Sequence, residues 1–291
     1  MANPLPIAWF NGAFLPLAEV RISPLDRAFL YGDSVYEVIP VYAGRPFLLD
    51  AHLDRLERSL REIRIEEPHN RTGWRGLIDG LVQRNGGGNL AVYLQVSRGA
   101  DVGRDHPFPG THVRPTVFGM VSPIPEPHPD RHGVSAITYP DQRWGRCDIK
   151  STALLANVLA RQAARAAGAS EALLIRDGQL SEGSASSVII VEQGALIRRP
   201  SGPEVLPGTT TDAVFAVARN AGLACRDELI AETRLRRADE IWLAAATRGI
   251  APVILLDGAP VGSGQPGPVW RQVTAAFEAT RPGAAPAGRA P

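Results

Sequence analysis

Between residues 123 and 129 the chain reads Pro123-Ile124-Pro125-Glu126-Pro127-His128-Pro129, with proline at every second position. Proline has no amide hydrogen and a fixed φ, so such a run can neither continue a helix nor sit inside a sheet. It is stiff and extended, and it divides the 291 residues into two halves. On either side, short strand-like stretches rich in Val, Ile and Tyr alternate with stretches whose apolar residues recur every three or four positions. The expectation is an α/β (α+β) protein of two domains, 1–122 and 131–281, joined by a linker at 123–130. The tail, 282–291, is mostly Pro, Gly and Ala and is expected to be disordered.

In the first half, Ile7 to Phe14 reads as a hairpin around Asn11-Gly12. Ser34 to Tyr42 alternates as a strand, and Pro40 places it at an edge or interrupts it. Asp50 is expected to cap a helix from His52 to Arg64, whose stripe is Leu53, Leu56, Leu60 and Ile63. A second helix fits Trp74 to Asn85, and strands follow at Asn89 to Ser97 and Arg114 to Val121. In the second half, strands are expected near Val134 to Tyr139, Ala172 to Arg176, Ser187 to Val191, Ala238 to Leu243 and Ala251 to Leu256. Helices are expected after Lys150, over Thr211 to Ala221, and over Val269 to Thr280.

Lys+Arg number 31 against 30 Asp+Glu, so the net charge of +1 offers no basic surface for nucleic acid. No apolar run is long enough to span a bilayer, and no basic segment with an apolar signal core opens the chain. The two cysteines, Cys147 and Cys225, suggest reduced thiols rather than a disulfide framework. A cytoplasmic protein is expected.

All but one of the Lys+Arg residues are arginines; the exception is Lys150. Arginine is permanently charged, whereas a lysine amine can shed its proton when desolvated and attack a carbonyl carbon. Lys150 follows Cys147-Asp148-Ile149 and precedes Ser151-Thr152, a sequence that reads as a helix start. Other groups could serve chemistry or simply face solvent. Glu182 lies among small polar residues in Leu180-Ser181-Glu182-Gly183-Ser184 and could meet a protonated ring nitrogen, or stand on a turn. Gly208-Thr209-Thr210-Thr211 opens a helix, where free amides suit a phosphate, and Thr247 could add a hydroxyl. Arg104 and His106, one residue apart, could clamp a carboxylate, with the Tyr36 phenol beside them. Gly262-Ser263-Gly264-Gln265-Pro266-Gly267 fits a dinucleotide pattern but lacks the strand and acid that must follow it.

Taken together, these stretches resemble the fold type IV (class IV) pyridoxal phosphate (PLP) aminotransferases, most nearly the D-amino acid (D-alanine) aminotransferases. The resemblance runs from Phe10-Asn11-Gly12 to Phe277. It is carried by Tyr31-Gly32-Asp33-Ser34-Val35-Tyr36-Glu37, His52-Leu53-Asp54-Arg55-Leu56, Arg143 to Lys150, Glu182-Gly183-Ser184 and Leu206-Pro207-Gly208-Thr209-Thr210. It implies that Lys150 forms the Schiff base with PLP and shuttles the substrate's α-proton. Glu182 would pair with the pyridine nitrogen, and Leu206 would pack against the ring. Arg55, Thr209 and Thr210 would form the phosphate cup, with Thr247 beside it. Tyr36, Arg104 and His106 would hold the α-carboxylate. The implied reaction is a ping-pong exchange between a D-amino acid and a 2-oxo acid, in a homodimer with no nucleic acid, membrane or metal involved. Rival readings within the fold are a branched-chain L-amino acid aminotransferase, an (R)-amine transaminase and an aminodeoxychorismate lyase. A PLP-binding protein without turnover is the rival outside catalysis. Ala245 and Ala246 depart from the hydroxyl residues of the family pattern, which shifts weight in phosphate binding to Thr210 and Thr247; Ser187 replaces the usual asparagine, and the loop before Arg104 is one residue longer than the pattern.

Overall fold

The computed structural model describes residues 3–125 and 129–284. The middle of the expected linker, 126–128, and most of the expected tail, 285–291, lie outside the described residues. Two compact units emerge: Met1–Pro125 with Ile149–Ala153, and Glu126–Asp148 with Leu154–Pro291.

The first unit contains β1 (Ile7–Phe10), β2 (Ala13–Pro16), α1 (Arg27–Tyr31), β3 (Ser34–Tyr42), β4 (Arg45–Pro46), α2 (Leu49–Glu62), α3 (Arg71–Arg84), β5 (Leu90–Ser97) and β6 (Thr116–Pro123). Its six strands order as β2-β1-β6-β5-β3-β4. Asn11 and Gly12 both take positive φ, at 44° and 100°, the left-handed geometry that a tight hairpin turn needs. Along β5, Leu90, Val92, Leu94 and Val96 are buried, while Tyr93 and Gln95 fall on the alternate positions. The buried row packs with Leu53, Leu56 and Leu60 of α2 and with Trp74, Leu77, Ile78 and Leu81 of α3. Burying each such side chain contributes roughly 1.5–3 kcal/mol, so this row fixes which face of the sheet is left for chemistry.

Three local expectations for this unit need correction. Asp50 does not cap α2: the cap is Leu48, at φ 55°, without a side-chain bond, and Asp50 sits in the first turn. Asn70 caps α3 instead, accepting from the Gly73 amide at 2.8 Å, and so starts it at Arg71. Pro40 does not interrupt β3. It pairs with Ala91 of β5 and offers its carbonyl to the Phe47 amide at 2.8 Å, so its missing N–H goes unused.

The second unit contains β7 (Val134–Pro140), α4 (Leu155–Ala166), β8 (Glu171–Arg176), β9 (Gln179–Gly183), β10 (Ser187–Glu192), β11 (Ala195–Arg198), α5 (Thr209–Asn220), β12 (Cys225–Asp227), α6 (Glu232–Leu235), β13 (Glu240–Ala245), β14 (Gly249–Leu256), β15 (Ala259–Pro260) and α7 (Pro268–Glu278). The sheet runs β12-β11-β10-β13-β14-β7-β8-β9, with β15 added on β14. Parallel pairs β14/β7, β7/β8 and β11/β12 sit among antiparallel ones. Ile190, Ile197, Ile241, Leu243 and Val253 form its main core.

Lys150 does not open a helix. The helix begins at Leu155, and residues 149–153 instead lie along β3 in the first unit. The Tyr36 amide donates to the Lys150 carbonyl at 2.9 Å, and the Thr152 amide to the Ser34 carbonyl at 3.0 Å. Strand-like pairing satisfies these backbone groups, so the hydroxyls of Ser151 and Thr152 are not needed as helix caps.

Candidate active site

In the first unit the lysine is fixed before its side chain is considered. Its amide donates to the Ser59 hydroxyl of α2 at 3.3 Å, and its carbonyl is tied to β3. The Lys150 Nζ lies 4.4 Å from the centre of the Tyr36 ring, over its face. Tyr36 stacks on Tyr93 at 5.7 Å. Burial pushes the Tyr93 phenol up to about 12, and Tyr36 adds to the shift, so Tyr93 stays protonated at neutral pH. It donates to Gln95 at 2.7 Å, and Gln95 donates to the Ser34 hydroxyl at 3.2 Å. Ser34 in turn meets Thr152, so a polar ladder runs from the stacked phenols back to the segment that carries Lys150.

One turn of α2 apart, His52 and Arg55 converge on Glu37 of β3, whose side chain is wholly buried. Arg55 grips it with two bonds, Nε to Oε1 at 2.6 Å and Nη2 to Oε2 at 2.9 Å. The His52 Nδ1 lies 2.8 Å from Oε2. Burial would raise the Glu37 pKa, but Arg55 and His52 outweigh it and hold the carboxyl well below its ordinary value. Burial pushes His52 the other way, below its ordinary pKa despite Glu37, so the ring is neutral and donates from Nδ1. Arg55 is thereby held rigidly by a carboxylate that is not part of any expected site. Glu37 has a visible signal in the sequence: an acid in the middle of an otherwise apolar strand.

In the second unit Glu182 is not a turn residue; it lies on β9 and is buried. One carboxylate oxygen accepts from Arg143 Nη1, and the other accepts from the Leu206 amide at 3.3 Å. Arg143 is itself gripped by Asp141, from Nε at 2.9 Å and from Nη2 at 2.8 Å. Burial would raise the Asp141 pKa, but the bonds from Arg143 bring it down to about 2. Burial opposes the charge on Arg143, yet Asp141 and Glu182 outweigh it and push its pKa above the usual guanidinium range. Glu182 is thus oriented by a cation–anion pair that nothing in the local sequence marks.

Thr209, Thr210 and Thr211 open α5 and are all buried. The cap residue, Gly208, has no side chain to offer the opening amides of this 12-residue helix. The Thr211 hydroxyl is buried without a hydrogen-bond partner among the described residues. A Cβ on Gly208 would stand 2.6 Å from the Ser187 hydroxyl and 2.8 Å from that of Thr211, so glycine keeps this cradle open. Such a donor set fits a phosphate. Thr247 is half-buried in the turn between β13 and β14, and Leu206 is half-buried two residues before Gly208.

Arg104 and His106 lie in the exposed loop between β5 and β6. They gather at Tyr31 rather than Tyr36: the Arg104 guanidinium is 5.0 Å from the Tyr31 ring centre, and the His106 ring 5.3 Å. Tyr36 keeps its ring contacts with Tyr93 and Lys150.

The family model for "Amino-transferase class IV" matches residues 34–256. The D-alanine aminotransferase of Bacillus licheniformis is 38% identical over 274 residues, covering 92% of this chain and 95% of its own. That of Listeria innocua is 37% identical, covering 90% of this chain and 92% of its own. Among solved structures, a T.th. branched-chain amino acid aminotransferase complexed with N-(5'-phosphopyridoxyl)-L-glutamate superimposes with a TM-score of 0.85 at 28% identity, covering 94% of this chain and 93% of its own. A hypothetical aminotransferase from Mycobacterium tuberculosis in its PLP-bound form gives 0.84, also at 28% identity, over 94% and 98%. On a family model that spans 34–256 and relatives at 37–38% identity over nine-tenths of the chain, this protein belongs to the class IV aminotransferases and is a PLP-dependent transaminase.

Proposed function

We propose that this transaminase exchanges the amino group of a D-amino acid such as D-alanine with a 2-oxo acid, in two half-reactions that share Lys150. The observation that carries the catalytic part is the chain's one lysine, tied by its backbone to β3 and Ser59. Bound PLP supplies an aldehyde for the substrate amine and a ring that draws electrons from the α-carbon. Lys150 Nζ, as the neutral amine, would take the proton from the substrate's α-carbon and deliver it, within the same half-reaction, to the carbon that had carried the aldehyde oxygen; the second half-reaction would run this transfer backwards. Arg143 and the Leu206 amide orient Glu182, whose carboxylate receives the pyridine N–H. The amides of Thr209 and Thr210, with the threonine hydroxyls, receive the phosphate, supported by Arg55 and Thr247. Arg104 and His106, which meet at Tyr31, bind the α-carboxylate, with the Tyr36 phenol beside Lys150 as a separate donor, and so select which enantiomer turns its α-hydrogen to Lys150. The D-alanine aminotransferases at 37–38% identity support this substrate class over the branched-chain enzymes at 28%.

The test is the visible absorption of purified protein before and after D-alanine, with L-leucine and an (R)-amine as rival donors. The Lys150→Ala variant is expected to lose the lysine-bound absorption band and about 10²–10⁴-fold in rate, the usual contribution of a positioned proton-transfer group. Normal D-alanine turnover in that variant would sink the reading.

The working form is proposed to be a homodimer. Leu155, Val158 and Leu159 stand on one face of α4 at 72%, 58% and 51% exposure, an apolar stripe suited to a second copy. Light scattering should give twice the 31.2 kDa chain mass, and a monomer at working concentration would refute it. No helix among the described residues is long and apolar enough to cross a membrane. Both cysteines are free, which suits the cytoplasm.

A further inference from the structure

The loop that carries Arg104 and His106 is exposed from Val102 to Phe108 and has no regular structure. A loop of this kind cannot place a carboxylate clamp unless something rigid holds it. That something is Arg27, in the short α1, which is buried. Its Nη1 donates to the Asp105 carbonyl at 2.7 Å and to the Pro107 carbonyl at 3.2 Å, and its Nη2 to the His106 carbonyl at 3.0 Å. One side chain therefore holds three successive main-chain oxygens around His106. Its guanidinium also lies 4.7 Å from the Tyr31 ring centre, the ring that Arg104 approaches at 5.0 Å.

Arg27 is held in turn. Its Nε donates to Asp33 at 2.8 Å, and Asp33 also accepts two bonds from Arg98, at 2.8 and 2.9 Å. Arg98 donates onward to the carbonyls of Ile63 and Arg64, at 2.7 and 3.0 Å, and lies 3.8 Å from the Phe108 ring centre at the far end of the loop segment. The carboxylate between two buried arginines thus ties the end of α2 to the loop.

We infer that Arg27 is a positioning residue for substrate binding: it braces the 104–107 loop from below, so that Arg104 and His106 meet the substrate carboxylate in one fixed arrangement. This rests on the proposed role of Arg104 and His106. No other side chain substitutes for it, because only a guanidinium presents enough N–H groups, in a plane, to serve an acid and three carbonyls at once. Lysine keeps the charge but not the geometry.

The experiment compares Arg27→Lys and Arg27→Gln with Arg104→Ala in the full-length, PLP-loaded enzyme. The KM for D-alanine is expected to rise about tenfold in both Arg27 variants, the size of losing one charge-assisted hydrogen bond. The kcat and the cofactor absorption should stay as in the parent, a split that general loss of structure would not produce. Trypsin should cut after Arg104 faster in the Arg27 variants, read as the fragment ending at that residue by mass spectrometry. A KM that rises in Arg104→Ala but not in either Arg27 variant overturns the bracing role alone, as does unchanged cutting after Arg104. A KM unmoved in Arg104→Ala removes the carboxylate reading itself, and the brace falls with it. Should Arg27→Gln fail to fold, Arg27→Lys and its cleavage rate decide the matter.

Discussion

Each unit of this protein buries a glutamate against an arginine, and the two pairs are built differently. Glu37 is wholly buried, and both its oxygens are taken by Arg55 and His52. Glu182 keeps 10% of its side chain exposed and meets Arg143 from one side and a backbone amide from the other. In the first pair the acid serves the arginine, since Glu37 fixes Arg55 on α2. In the second the arginine serves the acid, since Asp141 holds Arg143 and Arg143 orients Glu182. The same chemical pair thus fixes an arginine in one unit and an acid in the other.

The sharpest break of this contrast is a matched pair of isosteric changes. Glu37→Gln leaves Arg55 buried without its counter-charge and should lower unfolding stability by about 3–5 kcal/mol in urea denaturation. Glu182→Gln should cost less than about 1 kcal/mol there, yet lower kcat about 10²-fold, as removing a preorganised electrostatic partner does. Equal stability losses in the two variants would erase the distinction.

Acid should separate the regions next. The folded pKa of Glu37 lies below its ordinary 4.5, and that of Asp141 falls from 3.8 to about 2. Both shifts are downward, so each contributes stability that is complete above the unfolded value and is lost as pH falls toward the folded one. His52, lowered from 6.5, acts in the same sense from a higher pH. Stability followed by circular dichroism should therefore fall from pH 6.5 downward in the parent. In Asp141→Asn the stretch between 3.8 and about 2 should flatten. An unchanged slope there would show that the Arg143 clamp does not work as described.

The smallest effect sharpens the picture of the phosphate cradle. In Gly208→Ala the new methyl would press on the hydroxyl ends of Ser187 and Thr211, which can rotate away. PLP affinity should weaken about fivefold, on the order of 1 kcal/mol, measured by cofactor titration. No change would mean that the cradle is wider than these contacts imply.

Much of this was legible in the chain because it depends on local chemistry. The Asn11-Gly12 hairpin follows from which residues tolerate positive φ, and the strand at 34–42 from alternation. The threonines after Gly208 mark a helix start from their own type. What misled was competition from distant partners. Ser151 and Thr152 carry the composition of a helix cap, but β3 offered their backbone a better partner. The neighbours of Glu182 left it open between an acid for a ring nitrogen and a turn residue, and only its place on β9 against Arg143 removed the turn.

The sequence by itself determined the reactive inventory: one amine, an acid among small residues, a hydroxyl-rich helix start, and an arginine–histidine pair on a loop. Those are properties of residue type and spacing, and spacing survives without any fold. Only the tertiary structure decided which groups are held and by what. The guanidiniums of Arg27, Arg55 and Arg143 look like any of the chain's other arginines in one dimension. Their roles arise from burial, which makes an unpaired charge so unfavourable that each must find its acid or its carbonyls.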